Sequence, residues 1–279
     1  MTAGERWAAD ELLALRASAF RPAAWQRFLS ASFRRATESR RARPNVARQA
    51  RAWAAAALLV GHAARRAARI LGVASPSARA WTAWSLVSAA MLDWHLGMLE
   101  GPDGERRDRL RAADALSLAR AELAPFVAAA GVDAPRSRAA FSALIATGAV
   151  TDLLDGRLAR RTGETRLGRD TDTVADVTLK LAAARAARQA RWLTPTTTRV
   201  FATCQVAGIA VVAGTYLRRG RRPARERLAE PRWTAPPLMC GLALAPYAPR
   251  IANVLVGTAS LTTLTLALRR RALPSASAS

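Results

Sequence analysis

From Ala113 onward the chain alternates between apolar segments and short charged connections. The apolar segments run Ala113–Val132, Ser137–Leu154, Leu167–Trp192, Val200–Leu217, Trp233–Tyr247 and Ile251–Leu268. A helix rises about 1.5 Å per residue, so roughly 20 residues cross a hydrocarbon layer. The pattern predicts an all-α integral membrane protein in which residues 112–271 form a six-transmembrane-helix domain. The third segment is polar along one side, and the fifth is short and flanked by proline. The connections decide that both belong to the set. Arg160, Arg161 and Arg166 fall between the second and third segments, and Arg218, Arg219, Arg221, Arg222, Arg225 and Arg227 between the fourth and fifth. Arg269, Arg270 and Arg271 follow the sixth, whereas Val132–Arg138 and Tyr247–Arg250 are sparser in charge. Arginine-rich loops stay in the cytoplasm, so these loops and the C-terminus are placed there. Trp192 and Trp233, near segment ends, suit the membrane interface.

Residues 1–111 follow a different pattern, an Arg-rich helical extension. Trp25, Phe28, Leu29 and Phe33 recur at helical spacing among Arg21, Arg27, Arg34 and Arg35, which predicts an amphipathic helix lying on a membrane. Ala54–Gly61 is too short to span, while Ala78–Leu99 is long enough and carries Trp81, Trp84 and Trp94 at its ends. A basic arm that stays cytoplasmic adds zero or two crossings. Residues 272–279 read as a disordered tail.

Composition sharpens this picture. The chain of 279 residues is 51% hydrophobic and carries a formal net charge of +23. A soluble nucleic-acid binder shares that charge but not apolar stretches this long, so no nucleic-acid partner is expected. Apolar helices in lipid with arginines beside an anionic leaflet satisfy both facts. Cys204 and Cys240 each lie in an apolar stretch and make neither a disulfide framework nor a zinc site. The acidic first residues, Met1–Asp10, do not read as a cleavable signal peptide.

The chemistry concentrates between Thr151 and Asp176. Asp152 and Asp155 are three apart and Asp172 and Asp176 four apart, so each pair shares a helix face. A carboxylate inside a span costs about 3 kcal/mol by insertion scales. Four of them require a compensating cation, and oxygen-only ligation favours a hard ion such as Mg²⁺ or Mn²⁺. The alternative is pairing with Arg157, Arg160, Arg161, Arg166 and Arg169 of the neighbouring loop, which accounts for one aspartate more readily than for two face-matched pairs. Gly156 permits close approach beside Asp155, Gly168 opens space on the face of Asp172, and Arg160 can clamp a phosphate. Metal and arginine together describe a diphosphate site.

The stretch resembles the signature of the CDP-alcohol phosphatidyltransferase family, D-x2-D-G-x2-A-R followed by G-x3-D-x3-D. It is matched here by Asp152, Asp155, Gly156, Ala159, Arg160, Gly168, Asp172 and Asp176. The spacer Arg161–Leu167 is seven residues, one fewer than usual. Upstream, Asp114 to Arg120 followed by Pro125 is similar to the family's first-helix opening, N-x-L-T-x-x-R, with Asp114 where Asn is common. The resemblance covers Ala112 to Arg271 and implies a homodimeric multi-pass protein of the cell membrane, its site open to the cytoplasm. It implies two metal ions held by Asp152, Asp155, Asp172 and Asp176, with Asp176 the general base. It further implies contacts from Gly156, Ala159, Arg160, Thr165 and Gly168 to the CDP group.

The expected function is metal-dependent transfer of a phosphatidyl group from CDP-diacylglycerol to a small polar alcohol, releasing CMP, in phospholipid biosynthesis. Alternatives are transfer from a CDP-linked small alcohol to a lipid or sugar-phosphate acceptor, or a non-catalytic membrane homologue. Lys180, the one lysine, shares the stripe of Asp172 and Asp176 and can meet a phosphorylated acceptor or neutralise Asp176. Arg185, Arg188 and Arg191 continue that polar side towards an acceptor pocket or dimer contact. His62 and His95 are isolated, and Asp93 beside His95 reads as a local hydrogen bond.

Overall fold

The computed structural model describes residues 2–219 and 234–272, and among these no strand forms beyond one bridge between Glu100 and Arg106. Helices begin where the sequence supplies start signals. α1 (Ala3–Ala17) is capped by Thr2, whose hydroxyl accepts from the Glu5 amide at 3.1 Å while the Glu5 carboxylate accepts from the Thr2 amide at 3.0 Å. α2 (Pro22–Ala42) and α3 (Pro44–Ile70) open on proline, whose missing N–H is harmless in a first turn. α4 (Ala78–His95) is capped by the Ser77 hydroxyl and runs into a single 3₁₀ turn, Leu96–Met98.

Six further helices fill the six predicted segments. They are α5 (Ala112–Ala129), α6 (Pro135–Thr162), α7 (Arg166–Gln189), α8 (Pro195–Arg219), α9 (Ala235–Leu244) and α10 (Pro249–Ala272). By length and composition α6 is apolar enough to cross a membrane, and α9 is a shorter apolar helix. Charged residues interrupt the apolar character of α5 and α7, namely Asp114, Arg120 and Glu122 on one and the aspartates and arginines of the other. Arg221, Arg222, Arg225, Arg227, Trp233 and the tail Pro274–Ser279 lie outside the described residues.

Two expectations change near helix ends. Arg160 and Arg161 belong to α6 rather than to a loop, because no helix breaker intervenes before Gly163, whose φ of +87° ends the helix at little steric cost. Trp192 is buried rather than interfacial. Its Nε1 donates to Asp133 at 3.0 Å and its ring meets Phe141 edge-on at 5.2 Å.

The arrangement of α5, α6 and α7 positions the site. α5 packs extensively against both α6 and α7, so its residues reach the aspartates on each. α7 is lined with small buried residues, Ala183, Ala184, Ala186 and Ala187. Where α5 ends, a Cβ added at Gly131 would lie 2.7 Å from the Cα of Ala186, so glycine sets the helix separation there.

The extension shares a core with this bundle. Val46, Ala47 and Ala50 of α3 and Leu92 of α4 cluster with Leu96, Leu99, Leu118 of α5 and Leu167 of α7. α3 and α4 pair tightly at Gly61, where any Cβ would overlap the Trp81 indole. Trp81 Nε1 donates to the Leu58 carbonyl at 3.1 Å, and its ring meets Phe126 of α5 at 5.2 Å. Asp93 forms its ion pair with Arg40 of α2, and His95 bonds instead to the Met91 carbonyl. His62 contacts the Thr82 hydroxyl at 3.2 Å. Both cysteines are unbridged, Cys204 buried and Cys240 exposed.

Candidate active site

The two aspartate pairs, whose spacing sets only that each pair shares a helix face, meet between α6 and α7. One carboxylate oxygen from each of Asp152, Asp172 and Asp176 lies within 4.8 Å of the others. Asp155 sits deeper, with its side chain 8% exposed against 49% for Asp152. Its Oδ2 accepts from the Ser117 hydroxyl at 3.0 Å. The cluster therefore has a closed floor at Asp155 and an open mouth.

The cation among these acids comes from α5. Arg120 is fully enclosed, and its Nη1 donates to Asp152 at 2.9 Å, to Asp172 at 2.8 Å and to Asp176, while Nη2 donates to Asp155. Two of the arginines between the aspartate pairs do other work. Arg166 pairs with Glu100, and Arg169 with Glu5 and Asp170. Lys180 Nζ stands 3.4 Å from Asp176 Oδ2, so it neutralises that carboxylate directly. In the sequence Ser117 and Arg120 stand only as positions of the first-helix motif, with no role at the aspartates. The available signal was an arginine in the middle of an apolar segment, where an unpaired charge is costly.

These groups fit a divalent cation. Four carboxylates meet two cationic side chains, Arg120 and Lys180, which leaves two formal negative charges uncompensated within the cluster. An all-oxygen donor set with an open side suits Mg²⁺ or Mn²⁺.

The last turns of α6 and the first turn of α7 form the rim. Arg160 Nη1 lies 3.5 Å from where a Gly156 Cβ would be, so the guanidinium covers the glycine beside Asp155. Ala159 is half-buried between them on the same helix and Arg160 is exposed. Thr165 is buried and its hydroxyl is committed locally. It caps α7 by accepting from the Gly168 amide at 2.9 Å and donates to Asp114 Oδ1 at 2.6 Å. Asp114 Oδ2 in turn accepts from the Arg111 amide at 2.9 Å at the start of α5. The space beside Gly168 is taken by this Asp114 carboxylate, which a Cβ would strike. Thr165 and Gly168 thus tie the first turn of α7 to the first turn of α5.

Arg188 and Arg191 lie elsewhere. With Trp192 and Arg250 they line a cavity of about 590 Å³ at the far end of α7, roughly 20 Å of helix beyond Asp176.

No curated protein and no solved structure matches the chain closely enough to compare. The sequence model of the CDP-alcohol phosphatidyltransferases matches residues 110–267, which span α5 to α10 and include every residue of the cluster. The chain belongs to the CDP-alcohol phosphatidyltransferase family, enzymes that transfer a substituted phosphate group from a CDP-alcohol to an alcohol acceptor.

Proposed function

We propose that the protein transfers a phosphatidyl group from CDP-diacylglycerol to the hydroxyl of a small polar alcohol and releases CMP, a step of phospholipid biosynthesis. The observation that carries this reading is the convergence of four aspartates from α6 and α7 on Arg120, beside the Gly156–Arg160 rim. Asp152, Asp155, Asp172 and Asp176 would hold two divalent ions. Such ions neutralise charge on a diphosphate and on the departing CMP.

The chain's own groups supply the rest. Arg160 and the open backbone at Gly156 and Ala159 receive the CDP end, and Gly168 lets α7 begin close enough to face them. Thr165 acts on this pocket through its cap and its bond to Asp114 rather than by a free hydroxyl. Asp176 takes the proton of the acceptor hydroxyl as the new P–O bond forms and the bond to CMP breaks. Lys180 and Arg120, both in contact with Asp176, hold its carboxylate in place.

The setting is a multi-pass protein of the cell membrane with its site on the cytoplasmic side and its crossings drawn from α5 to α10, paired as a homodimer. Val150, Leu153, Val174, Ile209, Val254 and Leu261 are exposed on these helices, as a lipid-facing surface requires. The small residues between α5 and α7 support it too, since close packing is what joins helices in lipid. On α2, Trp25, Leu29 and Phe33 are all exposed along one stripe among arginines, which supports an extension lying on an anionic surface.

The test is purified protein with labelled CDP-diacylglycerol, Mn²⁺ and a panel of polar alcohols, read as product lipid. Label in a new phospholipid with one acceptor is expected. Turnover with a CDP-linked small alcohol and a lipid or sugar-phosphate acceptor instead would reverse the donor assignment.

A further inference from the structure

The first turn of α7 is held from outside the matched family region. The Arg166 amide, which an α-helix leaves without an internal partner, donates to the Glu100 carbonyl at 2.9 Å. The Arg166 side chain returns to the same residue, Nη1 lying 3.2 Å from Glu100 Oε1. Both side chains are nearly enclosed. Glu100 thus grips one residue of α7 through backbone and side chain together.

α1 closes over this grip. The Thr2 hydroxyl donates to Glu100 Oε1 at 2.6 Å, which puts the carboxylate against the start of α1, where helix amides favour negative charge. Gly4 permits the approach, since a Cβ there would stand 2.9 Å from Arg166 Nη1 and closer still to Glu100. Glu5 extends the contact one turn along α7, its Oε1 lying 3.4 Å from Arg169 Nη2. Burial pushes the Glu5 carboxyl up, but the Thr2 amide and the charges of Arg169 and Arg166 outweigh this and hold it below its usual range.

We propose that Thr2, Gly4, Glu5 and Glu100 form a latch on the start of α7, and that Glu100 is a positioning residue for the donor end of the site. Thr165 immediately precedes Arg166 as the cap of α7, and Gly168 and Asp172 follow within its first two turns, so whatever fixes Arg166 fixes their register against Asp152 and Arg160. The extension then sets how well the rim receives a CDP group, without touching the reacting atoms. This rests on the reading of the α6–α7 rim as the donor pocket.

The experiment compares Glu100→Ala, Glu100→Gln and Gly4→Ala with the parent in the full chain. It reads KM for CDP-diacylglycerol, KM for the acceptor, and the rate of trypsin cleavage between Arg157 and Arg169, with and without CDP and Mn²⁺. Glu100→Ala is expected to raise the donor KM roughly ten-fold, the size of a lost charge-assisted hydrogen bond. The acceptor KM should stay unchanged, and cleavage should accelerate by a similar factor, with CDP and Mn²⁺ restoring protection. Glu100→Gln keeps the carbonyl contacts and should fall between Ala and the parent. Gly4→Ala displaces the pair without removing charge and reports on the latch even where Glu100→Ala fails to fold. Unchanged cleavage, or equal rises in both KM values, overturns the latch. A parent protein that does not use CDP-diacylglycerol overturns the functional reading instead, and the cleavage comparison still decides the latch.

Discussion

Arg120 Nη1 lies 2.8 Å from Asp172 Oδ1, a bond between α5 and α7 that sits at the middle of the site. The same guanidinium bonds Asp152, Asp155 and Asp176. One enclosed cation therefore stitches three helices together by way of four carboxylates. Removing one partner of a buried ion pair costs more than the pair contributes, because the remaining charges stay desolvated.

Arg120→Met is accordingly expected to destabilise the protein by about 3 kcal/mol. The measurement is thermal unfolding in detergent, with and without Mn²⁺. Added Mn²⁺ should recover part of the loss, since it supplies positive charge to the same oxygens. An unfolding midpoint equal to the parent's would show that the acids do not depend on this arginine.

Thr165→Val removes the α7 cap and leaves Asp114 short of a hydrogen bond. The expected cost is about 1–2 kcal/mol, and Thr165→Ser should restore most of it. Donor KM should rise in the valine variant and recover in the serine variant. If Thr165→Val alters neither stability nor donor KM, the cap does not order the rim.

Lys180→Met separates the two roles considered for that lysine. Its contact with Asp176 predicts a lower kcat with acceptor KM unchanged. A raised acceptor KM at constant kcat would place Lys180 against the acceptor instead.

Gly61→Ala tests the extension apart from the site. A methyl group facing the Trp81 ring should cost about 1–3 kcal/mol through overpacking. Donor KM should remain unchanged, because Gly61 lies far along α3 from the α7 latch.

Much of this was legible in the sequence because it depends on local periodicity. The spacing of Asp152 with Asp155, and of Asp172 with Asp176, fixes two helix faces before any packing is known. The helices described in the matched region follow from its apolar segments and from the arginine-rich connections between them. What stayed hidden depends on which helices touch. Arg120 becomes the partner of the aspartates only because α5 packs on both α6 and α7. Glu100 lies in an irregular, charged connection with no periodic signal, and its partner is 66 residues away. The CDP contact of Thr165 came from the resemblance alone, and the sequence does not show its hydroxyl turning inward to Asp114. Trp192 looked interfacial for a similar reason, as its position at a helix end does not reveal its neighbour Phe141.

Divalent metal should be required throughout. EDTA is expected to stop transfer and Mn²⁺ to restore it, measured on the same purified sample. Turnover in excess chelator would rule out the aspartates as metal ligands in catalysis.

The central claim is that the aspartate cluster performs the transfer, with Asp176 removing the acceptor proton. Asp176→Asn keeps the size of the side chain and removes its basicity. CMP release from labelled CDP-diacylglycerol, with saturating Mn²⁺ and acceptor, tests the claim most directly. A fall of about 10²- to 10⁴-fold is predicted in a variant that still folds and inserts; CMP release at the parent rate would contradict it.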